Sequence, residues 1–334
     1  MLNSIQLLRA IAAWVVVGHH FMQILHGTGE AGFVGGLFSK YGALGVDLFF
    51  VISGFVIYHA TVDKHISPTR FLVMRLIRIV PAYWFFTLTT AIILYFSAKF
   101  IPLTQLEIGF LLKSLLFIPA SNPSGIGFFP LLTPGWSLNF EMVFYVIFAL
   151  ALLASNSYRF LVLFAGVTFL QWIAPVLGSP WTYFHNTIVF EFLLGVAVAV
   201  IYRKGWLNSL NIAHSVFLLI FAIAIIAIKG GAHHYLFAGV PCVLIVIAAL
   251  AQEQHFAKKS FFIELGNWSY STYLCHLLVL SVANYLLVTY ALPINMILVL
   301  VVMTVLLLSM TSFTLIEQGS SAWLKSKLNR WSSK

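Results

Sequence analysis

Charged side chains are scarce in this 334-residue chain. Asp, Glu, Lys and Arg together make up 8 per cent of it, against roughly a quarter in a soluble globular domain. That is too few to cover a water-facing surface, which excludes an ordinary soluble fold. Cysteine is nearly absent. Cys242 and Cys275 are the only two, each inside an apolar run, so neither a disulfide framework nor a Cys-rich metal centre is available. Low-complexity tracts and the internal repeats that build transporters are missing too. The first apolar stretch is too long for a cleavable signal and lacks a small-residue cleavage site, so it is expected to stay as a span. No separate soluble domain is expected, and residues 1–334 read as one transmembrane domain.

What the chain has in quantity is hydrophobic residues, 61 per cent. Several runs are long enough to cross ~30 Å of hydrocarbon, which takes about 20 helical residues. The expected fold is all-α, a polytopic membrane helical bundle of about ten transmembrane helices. They fall roughly at 5–26, 44–61, 81–98, 137–154, 160–177, 184–202, 212–229, 234–251, 268–289 and 293–315. The formal net charge of +9 sits in short connections. It therefore reads as membrane orientation rather than as a nucleic-acid surface. With the N-terminus in the cytoplasm, Arg9, Lys64, Arg70, Arg75, Arg78, Arg159, Arg203, Lys204, Lys258, Lys259, Lys325, Lys327, Arg330 and Lys334 fall inside. Lys40, Lys99, Lys113 and Lys229 fall outside. The C-terminus is then cytoplasmic as well.

Two connections are more than simple loops. Residues 62–80 form an inner basic segment in which Ser67 and Pro68 supply an N-cap and first-turn signal, so a helix starts there. Pro81 marks its junction with the third span. The long outer loop, about 99–136, holds a partly apolar helix near 104–118 and then Asn, Pro and Gly punctuation. A loop of that length is usually functional.

Ionisable groups inside a span are costly and face a cavity or a partner. The first span carries Gln6, Arg9, His19, His20 and Gln23. Eleven residues at 100° each bring Arg9 and His20 onto one face, roughly 16 Å apart along the axis. His19 lies about 100° away, so His20 is the inward-facing histidine of the pair. The bland alternative is a snorkelling Arg9 and a packed, hydrogen-bonded His20.

The segments LLRAIAAWVVVGHHF, GVDLFFVISGF, RLIRIVPAYW, WSLNFEMVFYV and YSTYLCHLLVL, in this order and spacing, resemble the acyltransferase-3 family of bacterial inner-membrane proteins. The likeness covers nearly the whole chain and extends to the branch that acylates exopolysaccharide or O-antigen sugars. Arg9 and His20 fit the family's Arg-(ten residues)-His pattern. The resemblance implies a multi-pass protein of the bacterial inner membrane. It would transfer an acyl group, usually acetyl, from cytoplasmic acyl-CoA to a glycan hydroxyl on the far side, the acceptor being free or lipid-linked. No permanently bound cofactor or metal is implied; acyl-CoA is a co-substrate, and membrane lipid is the other partner.

On the span order, His20, Asp47 and Glu141 fall in the outer half, while Arg9, Arg75, Arg78 and His276 fall at or near the inner side. A histidine can take the proton of an attacking hydroxyl and needs an orienting carboxylate on its other nitrogen. Glu141 is the first choice for that group and Asp47 the second. Acyl-CoA phosphates suit guanidinium forks, and Arg75 and Arg78 stand three apart on one helix face. His276 extends a polar face with Ser269 and Thr272. Ser137 shares a face with Glu141, and Trp136 offers a ring to a sugar. Each has a structural alternative: a helix cap for Asp47, an interhelical bond for Glu141 or His276, lipid anchoring for Arg75 and Arg78, an interface aromatic for Trp136. Ser53 and Gly54 read as close helix packing, and no family signature makes Ser137 a nucleophile. His233 and His234, in an outer turn, have no carboxylate near them in sequence and do not read as a metal site. The competing function is a transporter or flippase for a lipid-linked sugar or acyl group; a sensor or assembly partner in glycan export ranks third.

Overall fold

The computed structural model describes residues 2–26, 32–64, 66–230, 232–256 and 260–324. Lys258, Lys259, Lys325, Lys327, Arg330 and Lys334, all assigned above to the inner side, lie outside the described residues. The α-helices are α1 (Asn3–Phe21), α2 (Gly32–Tyr41), α3 (Leu44–Thr61), α4 (Pro68–Phe96), α5 (Ile108–Leu115), α6 (Trp136–Ala151), α7 (Asn156–Thr168), α8 (Phe190–Arg203), α9 (Ile212–Lys229), α10 (Val240–Ala251), α11 (Phe261–Tyr290) and α12 (Ile294–Ser312). No strand occurs among the described residues. Eight helices there are long and apolar enough to cross a membrane, so the chain is a multi-pass, all-α bundle. The expected spans at 234–251 and 184–202 correspond to two shorter elements, Tyr235–Ala251 and the 14-residue α8.

The helices divide into two compact units, Met1–Ile66 with Leu150–Ser269, and Ser67–Ala149 with Tyr270–Lys334. In the first, glycines let backbones approach. A Cβ on Gly54 of α3 would stand 2.0 Å from the Phe192 carbonyl oxygen of α8, and one on Gly195 would stand 2.0 Å from the Val51 carbonyl oxygen. This reciprocal contact is the close packing that small residues allow between membrane helices. Gly45 does the same for α3 against Ala12 of α1. The short α2, in a stretch read above as a connection, packs through Phe38 against Gly18. A carboxylate closes the start of α1: Glu253 accepts from the Asn3 and Ser4 amides at 2.7 and 3.0 Å, where helix N–H groups lack internal partners.

In the second unit Ser67 caps α4 as its position predicts, accepting from the Arg70 amide at 3.3 Å. Pro81 is not a junction. The helix that begins at Pro68 runs through it to Phe96. Proline cannot donate to the carbonyl four residues back, and here Ser321 Oγ donates to that Ile77 carbonyl instead, at 3.4 Å. The basic segment and the third span are therefore one helix.

The 99–136 segment is built around buried Asn122. Its side-chain amide donates to Thr104 Oγ1 and the Phe129 carbonyl, and its Oδ1 accepts from the Ser124 amide and hydroxyl. Gly125 and Gly127 take positive φ to make the turn. Ile101, Phe110 and Leu131 pack it onto Ala91 and Leu94 of α4. At its end Gly135 abuts the edge of the Tyr83 ring, where a Cβ would stand 2.6 Å from the nearest ring carbon. This positions the first turn of α6.

Gly54→Ala is expected to lower stability by about 1–3 kcal/mol, because the added methyl meets backbone rather than a movable side chain. Gly109→Ala in α5 has nothing within 4 Å of the new Cβ and should leave it unchanged or slightly raised. Thermal melts of both variants in detergent check the contrast.

Candidate active site

The polar stripe on α1 is hydrogen-bonded at Gln6, Arg9, His19 and His20, while Gln23 lies beyond the helix and is exposed. α1 is continuous from Asn3 to Phe21, so the Arg9–His20 step keeps its ~16 Å. Arg9 is 8 per cent exposed and does not reach out as a snorkelling cation does. Its Nη1 donates to Gln6 Oε1 at 3.2 Å. Gln6 Nε2 in turn donates to Asn267 Oδ1, and Asn267 Nδ2 donates to Glu264 Oε2. His20 is half-buried, with Nδ1 3.1 Å from the Val16 carbonyl oxygen. A carbonyl can only accept, so Nδ1 is the donor, and the neutral ring then has its basic lone pair on Nε2. The group that fixes this tautomer is thus the helix's own backbone. His19 is tied elsewhere, by Nδ1 to the Phe38 carbonyl of α2 at 3.1 Å, with its ring edge-on to His20 at 5.1 Å.

Asp47 has a partner that sequence position does not suggest. It is fully buried. Its Oδ1 accepts from the His233 amide at 2.6 Å, and its Oδ2 lies 3.4 Å from His233 Nδ1. His233 holds φ at +67° to turn that amide inward, an uncommon conformation for a side-chain-bearing residue. The equally buried Glu191 of α8 lies beside Asp47, in a space kept open by Gly239, whose added Cβ would stand 3.0 Å from Glu191 Cγ. The second-choice orienter of His20 is instead the anchor of the 233 turn.

In the other unit the span order implies opposite membrane faces for Arg75 and Glu141, and here the structure corrects it. The Arg75 guanidinium lies over the rings of Phe71 and Tyr145, 5.4 and 6.0 Å from their centroids. The Tyr145 hydroxyl donates to Glu141 Oε1 at 2.5 Å. Arg75, Tyr145 and Glu141 form one electrostatic cluster with Arg78 at its edge. The reason is length. Arg75 stands only two turns into a helix that continues past Pro81, so its side chain reaches the middle of α6 instead of remaining in a separate surface segment. Arg75 Nε is buried and has no acceptor among the described residues. Two neighbouring guanidiniums, one with an open donor, make a site suited to an oxyanion.

His276 is fully buried, fifteen residues into the 30-residue α11, and so midway along that helix. Its Nδ1 is 2.7 Å from the Tyr273 carbonyl oxygen. That nitrogen is therefore the donor, and the other ring nitrogen of the neutral form is an acceptor. An acceptor suits an amide N–H and not a phosphate. Ser137 donates to the Pro134 carbonyl at 3.2 Å, and its oxygen is 2.9 Å from the Tyr273 hydroxyl, which must then donate to it. Its proton is engaged with a carbonyl, not with a base, as a nucleophile requires. Trp136 is half-buried, edge-on to Phe129 and Phe140. Among the described residues no group of three or more His, Cys, Asp or Glu is arranged to hold a metal.

Sequence reasoning missed Tyr145, Glu191, His233 and Tyr273. Tyr145 was findable, standing four residues after Glu141 on the same face. Glu191 carries the same signal as Asp47, a carboxylate in an apolar run. His233 and Tyr273 become visible only through contacts distant in sequence.

Residues 2–314 match the family model described as an acyltransferase domain. The exopolysaccharide production protein ExoZ of Rhizobium meliloti (strain 1021) is 32 per cent identical over 248 residues, covering 72 per cent of this chain and 77 per cent of ExoZ. The acyltransferase MdmB of Streptomyces mycarofaciens is 26 per cent identical over 273 residues, covering 72 per cent of this chain and 68 per cent of MdmB. No solved structure gives a significant match.

Asp47→Ala strips the acceptor from a buried amide and should cost about 2–4 kcal/mol. Asp47→Asn keeps an acceptor and should cost less. The amount of folded protein in the membrane, with a detergent melt, reads this. Full stability of Asp47→Ala would return Asp47 to the chemistry.

Proposed function

The chain belongs to the acyltransferase-3 family, and on that premise we propose that it moves an acetyl group from cytoplasmic acyl-CoA to a hydroxyl of a cell-surface glycan. The proposed setting is the bacterial inner membrane, with both termini cytoplasmic and the acceptor, free or lipid-linked, at the periplasmic side. The observation that carries the reading is His20, a half-buried imidazole whose Nδ1 is spent on the Val16 carbonyl, leaving Nε2 as the basic nitrogen. The acceptor class rests on the name of the ExoZ relative.

The chemistry follows from those groups. A sugar hydroxyl is a weak nucleophile at neutral pH. Nε2 takes its proton as the oxygen attacks the thioester carbonyl. A new C–O bond forms, the tetrahedral intermediate collapses, the C–S bond breaks, and the thiolate departs and takes up a proton. Arg75 and Arg78 grip the donor's phosphates as guanidinium forks. The buried Arg9 lines the donor's path. His276 accepts from a pantetheine amide, the role its tautomer allows. Glu141, bound by Tyr145, supplies the carboxylate of the site. Trp136 stacks on the acceptor ring, and Ser137 acts at one remove by holding Tyr273.

His20→Ala should lower glycan acylation by about 10²–10⁴-fold, the usual contribution of a general base. The protein's level in the membrane should stay normal. Mass spectrometry of surface glycan from the complemented deletion strain measures both sides. Full acylation in that strain would falsify the mechanism, and a carrier that exports glycan without acylating it would be the reading left. Arg75→Ala should raise the acyl-CoA concentration needed for half-maximal rate by about tenfold or more, the loss of one charge-assisted contact. Membrane vesicles supplied with donor test this, and an unchanged requirement returns Arg75 to lipid anchoring.

A further inference from the structure

One residue stands between the oxyanion site and the carboxylate and has no part in the reaction just described. Tyr145 is 3 per cent exposed. Its single hydroxyl proton goes to Glu141 Oε1 at 2.5 Å, so the phenol oxygen has only lone pairs to offer any other neighbour. The Arg75 guanidinium lies against that residue's ring, 6.0 Å from its centroid. The phenol O–H is directed at the carboxylate, so the ring carries the Glu141 carboxylate on one side and the cation on its face. The Tyr145 ring does separate work. With the Phe71 ring, edge-on to it at 6.1 Å, it forms a two-ring corner against which the guanidinium lies, and Phe71 is itself backed by Phe148 at 5.0 Å. A guanidinium packed into that corner has lost part of its rotameric freedom. The buried Nε edge that lacks an acceptor is then presented in a set direction.

We propose that Tyr145 is a positioning residue. Its ring, with Phe71, orients Arg75 toward the phosphate of the acyl donor, and its hydroxyl, bonded to Glu141, fixes that ring against the arginine. The proposal rests on the acyl-CoA reading of Arg75. A phenylalanine would fill the same volume in an apolar span at lower desolvation cost, and the hydroxyl makes sense through the carboxylate it binds. A guanidinium already ordered before the donor arrives binds it more tightly, because the ordering entropy is spent in the free protein.

Three variants test this in membrane vesicles supplied with acyl-CoA at varied concentration, with a detergent melt of each. Y145F keeps both rings and removes only the oxygen. The donor KM should rise about tenfold with a melting temperature close to wild type. In an R75A background the same change should do almost nothing further, because the residues act through one contact. F71L removes one of the two rings that Arg75 lies against and should raise the donor KM by a few-fold while kcat holds, which keeps the proposal testable if Y145F does not accumulate. A wild-type enzyme that saturates with acyl-CoA, combined with an unchanged KM in Y145F or in F71L, overturns this inference alone. So does full additivity of Y145F with R75A, the sign of a merely structural residue. A wild type with no saturable dependence on acyl-CoA overturns the donor reading and this inference with it.

Discussion

No water reaches the hydrocarbon interior of a bilayer, so each polar group placed there must find its partner inside the protein. Much of the detail in this molecule is a consequence. Pro81 leaves the Ile77 carbonyl without its helical donor, and Ser321 supplies one. The π-helical turn at Phe169–Ile173 frees the Gln171 carbonyl, and His185 Nδ1 takes it at 2.9 Å. Ser271 Oγ meets Ser312 Oγ and Glu317 Oε1, and Thr272 Oγ1 donates to Ser309, so that α11 and α12 are joined by hydroxyls. Such bonds are individually modest. Their absence would leave bare dipoles in oil, and that asymmetry is what fixes the helices in register.

The same constraint shapes the candidate site. A half-buried histidine whose Nδ1 is bound to its own helix, as His20 is, cannot change tautomer without losing that bond, so the basic nitrogen is assigned before any substrate arrives. A guanidinium in an apolar surround needs rings and a phenol to hold it. The structure treats its carboxylates differently. Glu141 is held by a hydroxyl on its own helix, while Asp47 and Glu191 are shut away around the His233 turn. Burial of a carboxylate thus marks either chemistry or architecture, and only the identity of the partner separates the two.

A good deal of this was legible beforehand. Apolar runs of about 20 residues gave the helical class, the Ser67–Pro68 pair gave the start of α4, and the 100° period placed Arg9 and His20 on one face. The errors have physical causes. Pro81 reads as a break because the donor that rescues its orphan carbonyl lies 240 residues downstream. The short α2 escaped notice because its ten residues are too few to span.

Spacing and side-chain chemistry by themselves determined that this chain is a multi-pass helical membrane protein, and that α1 carries a guanidinium and an imidazole three turns apart. These are local properties, fixed by helical period and by the cost of polar groups in hydrocarbon. Tertiary structure alone decided the partners that lie far off in sequence: His233 for Asp47, and the Tyr145 ring for Arg75. Partnership depends on how helices distant in sequence cross, and those crossings are set by glycines such as Gly54 and Gly195 acting in pairs, which no single stretch of sequence displays.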